Sequence, residues 1–147
     1  MTTTESLEAA SRDVLTRGLA AIGLLGIALV HILDAIPTFS EVAYEGWLYI
    51  ALIVCSVTLA GCLVRGPSRA VWSAAGGLAA GAIVVYVYSR TVGLPRAGDD
   101  IGNWSDPLGV AALFVEGAVV AVSGYALAAV MPVRRVSERA RLSAHPA

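Results

Sequence analysis

The sequence predicts an all-α protein, an antiparallel four-helix transmembrane bundle with both termini cytoplasmic. Three observations lead there. Four apolar runs, about 18–36, 47–64, 70–89 and 107–130, are each close to the ~20 residues that cross a ~30 Å hydrocarbon layer at 1.5 Å rise per residue. The 147 residues are 57% hydrophobic with a mean hydropathy of +0.75, more than the remaining polar residues of a soluble domain could cover. Every basic residue is arginine, and eight of the ten lie on one side of the runs.

Residues 1–17 are polar and helix-prone. Thr2 with Glu5 could form a capping box, and Leu7, Val14 and Leu15 fall near one helical face. A short interfacial helix and a frayed tail are both open readings. Arg12 and Arg17 precede the first span, Arg65 and Arg69 separate the second and third, and Arg134, Arg135, Arg139 and Arg141 follow the fourth. Only Arg90 and Arg96 lie on the other side, where Asp34, Glu41, Glu45, Asp99, Asp100 and Asp106 gather. Basic short loops stay in the cytosol, so the acidic connections are assigned outside. The run after Arg17 also has the layout of a secretory signal peptide. Its removal would leave three spans and set one terminus against the arginine distribution.

The first connection, about 37–46 between the spans, reads as a short acidic loop with Glu41 and Glu45. The second span carries Cys55 and Cys62, about 10 Å apart along one helix and so unable to pair; they read as small buried packing residues. Arg65-Gly-Pro-Ser-Arg is a tight turn, with Ser68 as N-cap of the third span. The third connection, 91–106, holds Gly93, Pro95, Gly98 and Gly102 and closes on Asp106-Pro107, an acidic cap before a proline at the first helical position. Trp47, Trp72 and Trp104 are placed at the membrane interfaces. Beyond the four spans (18–133), residues 134–147 form a basic cytoplasmic tail that suits anionic headgroups.

Helices associate in lipid through close backbone approach and a few polar contacts. Ser73, Gly77 and Gly81 on the third span, Gly117, Ala121 and Gly124 on the fourth, and Ala20 and Gly23 on the first are therefore expected at interfaces. The stripe through Ala20 and Gly23 continues past Ile27 to His31 and Asp34, which directs His31 into the bundle.

Glu116 is the most informative residue. It lies nine positions into the fourth span, where an acidic side chain costs roughly 3 kcal/mol and so faces inward. With His31, Asp34 and Arg90 it falls in the outer half of the bundle, a candidate polar membrane site on three helices. Two readings compete. In the structural one, Arg90 pairs with Glu116 or Asp34 to fix helix register, and His31 bonds a carbonyl or carboxylate. In the functional one, Glu116 is a proton-exchanging or cation-binding carboxylate, with His31 as titrating partner or ligand. Tyr49 and Tyr88 suit the interface, and Tyr86 could hydrogen-bond within the bundle.

The sequence leads to no expectation of a metal or a cofactor. The only other histidine, His145, sits in the tail, too far for a second haem ligand, and two cysteines in one helix plus one histidine make no zinc set. Nucleotide-binding and hydrolase motifs are missing, no residue is assigned as catalytic, and nothing points to nucleic acid.

The outer-side residues resemble a pattern in small four-span membrane proteins of bacteria, especially actinobacteria, whose activity is unassigned. There a histidine near the end of the first span precedes a proline- and acid-containing loop, the third span ends in Arg-Thr-x-Gly-Leu-Pro, and an acid follows in the fourth. The matching residues are His31, Pro37 and Glu41, then Arg90 to Pro95, then Glu116, within roughly 18–125. Where relatives often carry a second histidine in the first loop, this chain has Thr38 and Phe39. The resemblance implies a fold and the bacterial plasma membrane. The leading expectation is a non-enzymatic membrane protein, an accessory subunit packed beside a larger complex, with lipid, a membrane-protein partner or a homodimer as its associates. The alternatives are a small proton-coupled transporter using the intramembrane carboxylate, and a membrane redox or haem protein.

Overall fold

A computed structural model describes residues 3–143, with side chains described for 4–129. Thr2, the four arginines from Arg134 onward as side chains, and His145 lie outside that description. Helices α1 (Thr3–Glu41), α2 (Ala43–Arg65), α3 (Arg69–Thr91) and α4 (Pro107–Ser143) follow one another, with a 3-10 turn at Gly98–Asp100 and no strand among the described residues. All four are long and apolar enough to cross a membrane, and their short connections make successive helices antiparallel. The chain is an all-α four-helix bundle of multi-pass membrane character.

At its start the first helix takes the helical one of the two open readings, and at its end it departs from expectation. Its polar N-terminal stretch is continuous with the span, held by i,i+4 pairs Glu8–Arg12 and Asp13–Arg17. Leu7, Val14 and Leu15 lie exposed on it. At the other end, the loop expected after residue 36 is helix through Glu41. Proline removes only one N–H there, and the Thr38 and Ser40 hydroxyls donate to the carbonyls of Asp34 (2.7 Å) and Pro37 (2.6 Å) as the helix finishes. Val42 alone links α1 to α2. The corner closes this tightly because Gly46 lets the Phe39 ring sit against its backbone, where a Cβ would come within 2.5 Å of the ring.

The turn 66–68 is as the sequence suggests, with the Ser68 hydroxyl accepting from the Val71 N–H at 3.3 Å. Asp106 caps α4 through the Gly109 N–H at 2.8 Å. At the C-terminal end of α3, Gly93 takes the left-handed conformation (φ 86°) while the N–H groups of Val92 and Gly93 both reach the Tyr88 carbonyl.

The core draws on all four helices. Ala20, Leu24, Ile27, Leu63, Ala75, Ala79 and Val119 are buried together. Close approach falls on Gly23 against Val119, Gly26 against Val115 and Gly76 against Ser123. Gly77, Gly81, Gly117 and Gly124, expected at interfaces, meet no atom within 4 Å of a Cβ, and Ser73 and Ala121 are exposed. The α3–α4 seam is thus one residue round the helix from the Gly77-x-x-x-Gly81 stripe. Trp72, placed at the interface by sequence, is buried in the core, whereas Trp47 and Trp104 remain exposed. Cys55 is exposed and Cys62 half-buried, not the buried pair expected. The reason is common to several of these differences: α2 and α3 touch sparsely, leaving a space between them.

Candidate functional site

That space is a cavity of about 450 Å³. One helical face of α2 contributes Glu45, Leu48, Tyr49, Leu52 and Cys55, spaced by three and four residues. The matching face of α3 contributes the pairs Gly77/Leu78, Gly81/Ala82, Val85/Tyr86 and Ser89/Arg90. His31 of α1 and Ala112 and Glu116 of α4 complete the wall, and Leu94 and Asp100 of the following loop border one end. Along α3 the cavity covers thirteen residue steps, about 20 Å of helix rise.

Glu116 is 1% exposed and its Oε2 has no hydrogen-bond partner. No ion pair among the described residues includes it. A buried carboxyl left this way is costly and calls for a reason beyond packing. The pairs Gly76–Ser123 and Tyr86–Gly109 set α3 against α4 so that Glu116 falls opposite the stretch around Gly81.

Arg90, which is 8% exposed, does not reach Glu116 or Asp34. It pairs with Asp100 and lies 3.7 Å from Asp106, with its guanidinium 4.9 Å from the centre of the Tyr86 ring. The register pair expected from sequence is therefore replaced by a clamp between α3 and the loop that follows it. Asp100 and Asp106 are favoured over Glu116 and Asp34 because the loop folds back over the helix end, where the Gly102 N–H donates to the Arg90 carbonyl at 2.9 Å. Each residue of the Arg-Thr-x-Gly-Leu-Pro run now has a task. Arg90 holds the loop, the Thr91 hydroxyl donates to Val87, Gly93 reverses the chain, Leu94 borders the cavity, and the Pro95 carbonyl accepts from Tyr44 at 2.8 Å.

His31 lies at the cavity wall, and Asp34 stands behind it. The His31 Nδ1–H donates to the Ile27 carbonyl at 2.9 Å; a carbonyl can only accept, so this nitrogen carries the hydrogen. The ring meets Tyr49 edge-on at 4.9 Å, and the Tyr49 hydroxyl donates to Asp34 at 3.2 Å. Of the four sequence candidates, His31, Arg90 and Glu116 line one cavity, while Asp34 touches it only through Tyr49.

Sequence reading missed Glu45, Tyr49 and Asp100. Glu45 is 8% exposed and within 3.1 Å of the Tyr44 hydroxyl, with no cation paired to it among the described residues. The spacing 45, 49, 52, 55 places it on the face that carries Cys55, a signal present in the chain. The Tyr86 ring lies beneath the Arg90 guanidinium and packs on Gly109 and, at 6.2 Å, Trp104. Among the described residues no three His, Cys, Asp or Glu side chains group as metal ligands. Compared with known proteins, the chain matches no family model, no curated protein and no solved structure.

Proposed function

We propose that this is a multi-pass protein of the bacterial plasma membrane that binds a small ligand between α2 and α3 and exchanges it against a proton at Glu116, as a small carrier does. The orientation that goes with this reading has both termini in the cytosol and the Arg90 end of the cavity outside, following the arginine distribution. The observation that carries it is Glu116 itself: a carboxyl inside a membrane helix, 1% exposed, on a cavity wall, with one oxygen unpartnered. Such residues mark ion and substrate paths when no partner neutralises them. Arg90, the cation a purely structural role would use, is committed to Asp100 and Asp106.

Dicyclohexylcarbodiimide, which reacts with proton-exchanging carboxyls in apolar surroundings, tests the reading directly. Intact-mass analysis of the purified protein should show one adduct, mapped to Glu116 and lost in Glu116→Gln. An unmodified Glu116 under conditions that label exposed carboxyls would end the carrier reading.

A second reading, the accessory subunit, draws on a different observation. Gly117, Ala121 and Gly124 form a small-residue face of α4 with nothing packed on it among the described residues, as a helix awaiting another membrane protein or a second copy would have. Affinity purification in mild detergent distinguishes the two. A stoichiometric partner lost on Gly124→Leu favours the subunit, and an isolated chain or homodimer favours the carrier.

A further inference from the structure

We infer that the ligand of the α2–α3 cavity is a lipophilic organic cation, an inference that rests on the carrier reading of the same site. Three features of the wall select this chemistry. The first is charge. The cavity is bordered by Glu45, Asp100 and Glu116 against one cation, Arg90, and Arg90 is already paired with Asp100. Two carboxyls therefore stand outside any ion pair among the described residues, Glu116 deep in the bundle and Glu45 near the loop end. An anionic amphiphile would meet a wall with more acids than cations, and a neutral apolar molecule would leave the buried carboxyl unanswered.

The second feature is the body of the cavity. Leu48, Leu52, Leu78, Ala82 and Val85 line it between the two acids. A small inorganic cation needs several converging oxygens, whereas these carboxyls stand apart on different helices with hydrocarbon between them. The third is aromatic. The Tyr49 and Tyr86 rings are both on the wall, and a guanidinium already lies 4.9 Å from the Tyr86 centroid. The face of that ring thus holds a delocalised cation in this protein. Cys55, Gly77 and Gly81 are exposed at the gap between α2 and α3, so a cation dissolved in the membrane can enter from the side.

The test uses tetraphenylphosphonium and tetraphenylborate, ions of nearly the same shape and opposite charge. Binding is read on the full-length purified protein carrying Cys62→Ser, by how far each ion slows N-ethylmaleimide labelling of Cys55. The phosphonium should slow labelling at least fivefold at saturation, and the borate should leave it unchanged. Half-protection should need at least ten times more phosphonium in Glu116→Gln. Gly81→Leu should abolish protection without altering charge. A Cβ at Gly81 meets nothing within 4 Å, so this variant is expected to fold and keeps the proposal testable if Glu116→Gln does not. Equal protection by the borate, no protection by either ion, or full protection in Gly81→Leu would each overturn the cation assignment. None of those outcomes touches carbodiimide labelling of Glu116, on which the carrier reading stands or falls separately.

Discussion

Replacing Gly23 and Gly77 by alanine asks which glycines the bundle is built on. A Cβ on Gly23 would lie 2.6 Å from Val119 Cγ2, about 1 Å inside the ordinary carbon–carbon separation of roughly 3.5–4.0 Å. Val119 is 1% exposed and β-branched, so it has no second rotamer to swing into. The strain must pass to the α1–α4 backbone. Overpacking of this kind costs about 1–3 kcal/mol, and the better helix propensity of alanine returns about 0.5–1 kcal/mol. A net loss of about 1–2 kcal/mol follows for Gly23→Ala. At Gly77 there is no atom to meet, so only the propensity gain remains and the variant should match or exceed the parent. The two variants should then differ by about 2 kcal/mol, roughly a thirtyfold difference in the unfolding equilibrium. Titration with dodecyl sulfate in mixed micelles, followed by far-ultraviolet circular dichroism, measures this. If Gly77→Ala loses as much as Gly23→Ala, α3 packs through Gly77-x-x-x-Gly81 and the cavity between α2 and α3 is not there.

Other substitutions probe other joints. Asp106→Ala removes both the α4 cap and one partner of Arg90, and should cost about 1–2 kcal/mol in the same titration, more than Ser68→Ala, whose cap bond is longer and exposed. Tyr49→Phe keeps the ring against His31 and loses the bond to Asp34, so a drop of about 1 kcal/mol is expected; a loss above about 3 kcal/mol would mean that the hydroxyl does more than hold Asp34. Arg90→Gln should release the 92–106 segment, seen as faster amide exchange there with the four helices unchanged. Gly46→Leu should open the α1–α2 corner, because the Phe39 ring occupies that space; unchanged stability would contradict the tight connection.

The sequence was most legible where a single physical rule dominates. Four spans follow from chain length against bilayer thickness, and Ser68 and Asp106 act where capping chemistry places them. His31, Arg90 and Glu116 were found because polar groups are rare and conspicuous in an apolar run. Other features depended on which face of a helix meets which neighbour. Small-residue spacing on α3 fits Gly77 and Gly81 as well as it fits Gly76, and only the packed bundle selects Gly76 against Ser123. Arg90 chose Asp100 because the loop returns over the helix end, a path that spacing along the chain does not encode. The first span runs on to Glu41 through Pro37 because proline near the end of a helix breaks little.

The central proposal is that Glu116 lies on the wall of the α2–α3 cavity, whose Arg90 end the proposed orientation places outside. It is tested most directly by Glu116→Cys in a Cys55→Ser, Cys62→Ser background. Intact spheroplasts would be treated with a small, membrane-impermeant, trimethylammonium-bearing methanethiosulfonate, and the protein then weighed. The account predicts modification at position 116 without lysis. Modification only after lysis, or none at all, would contradict it.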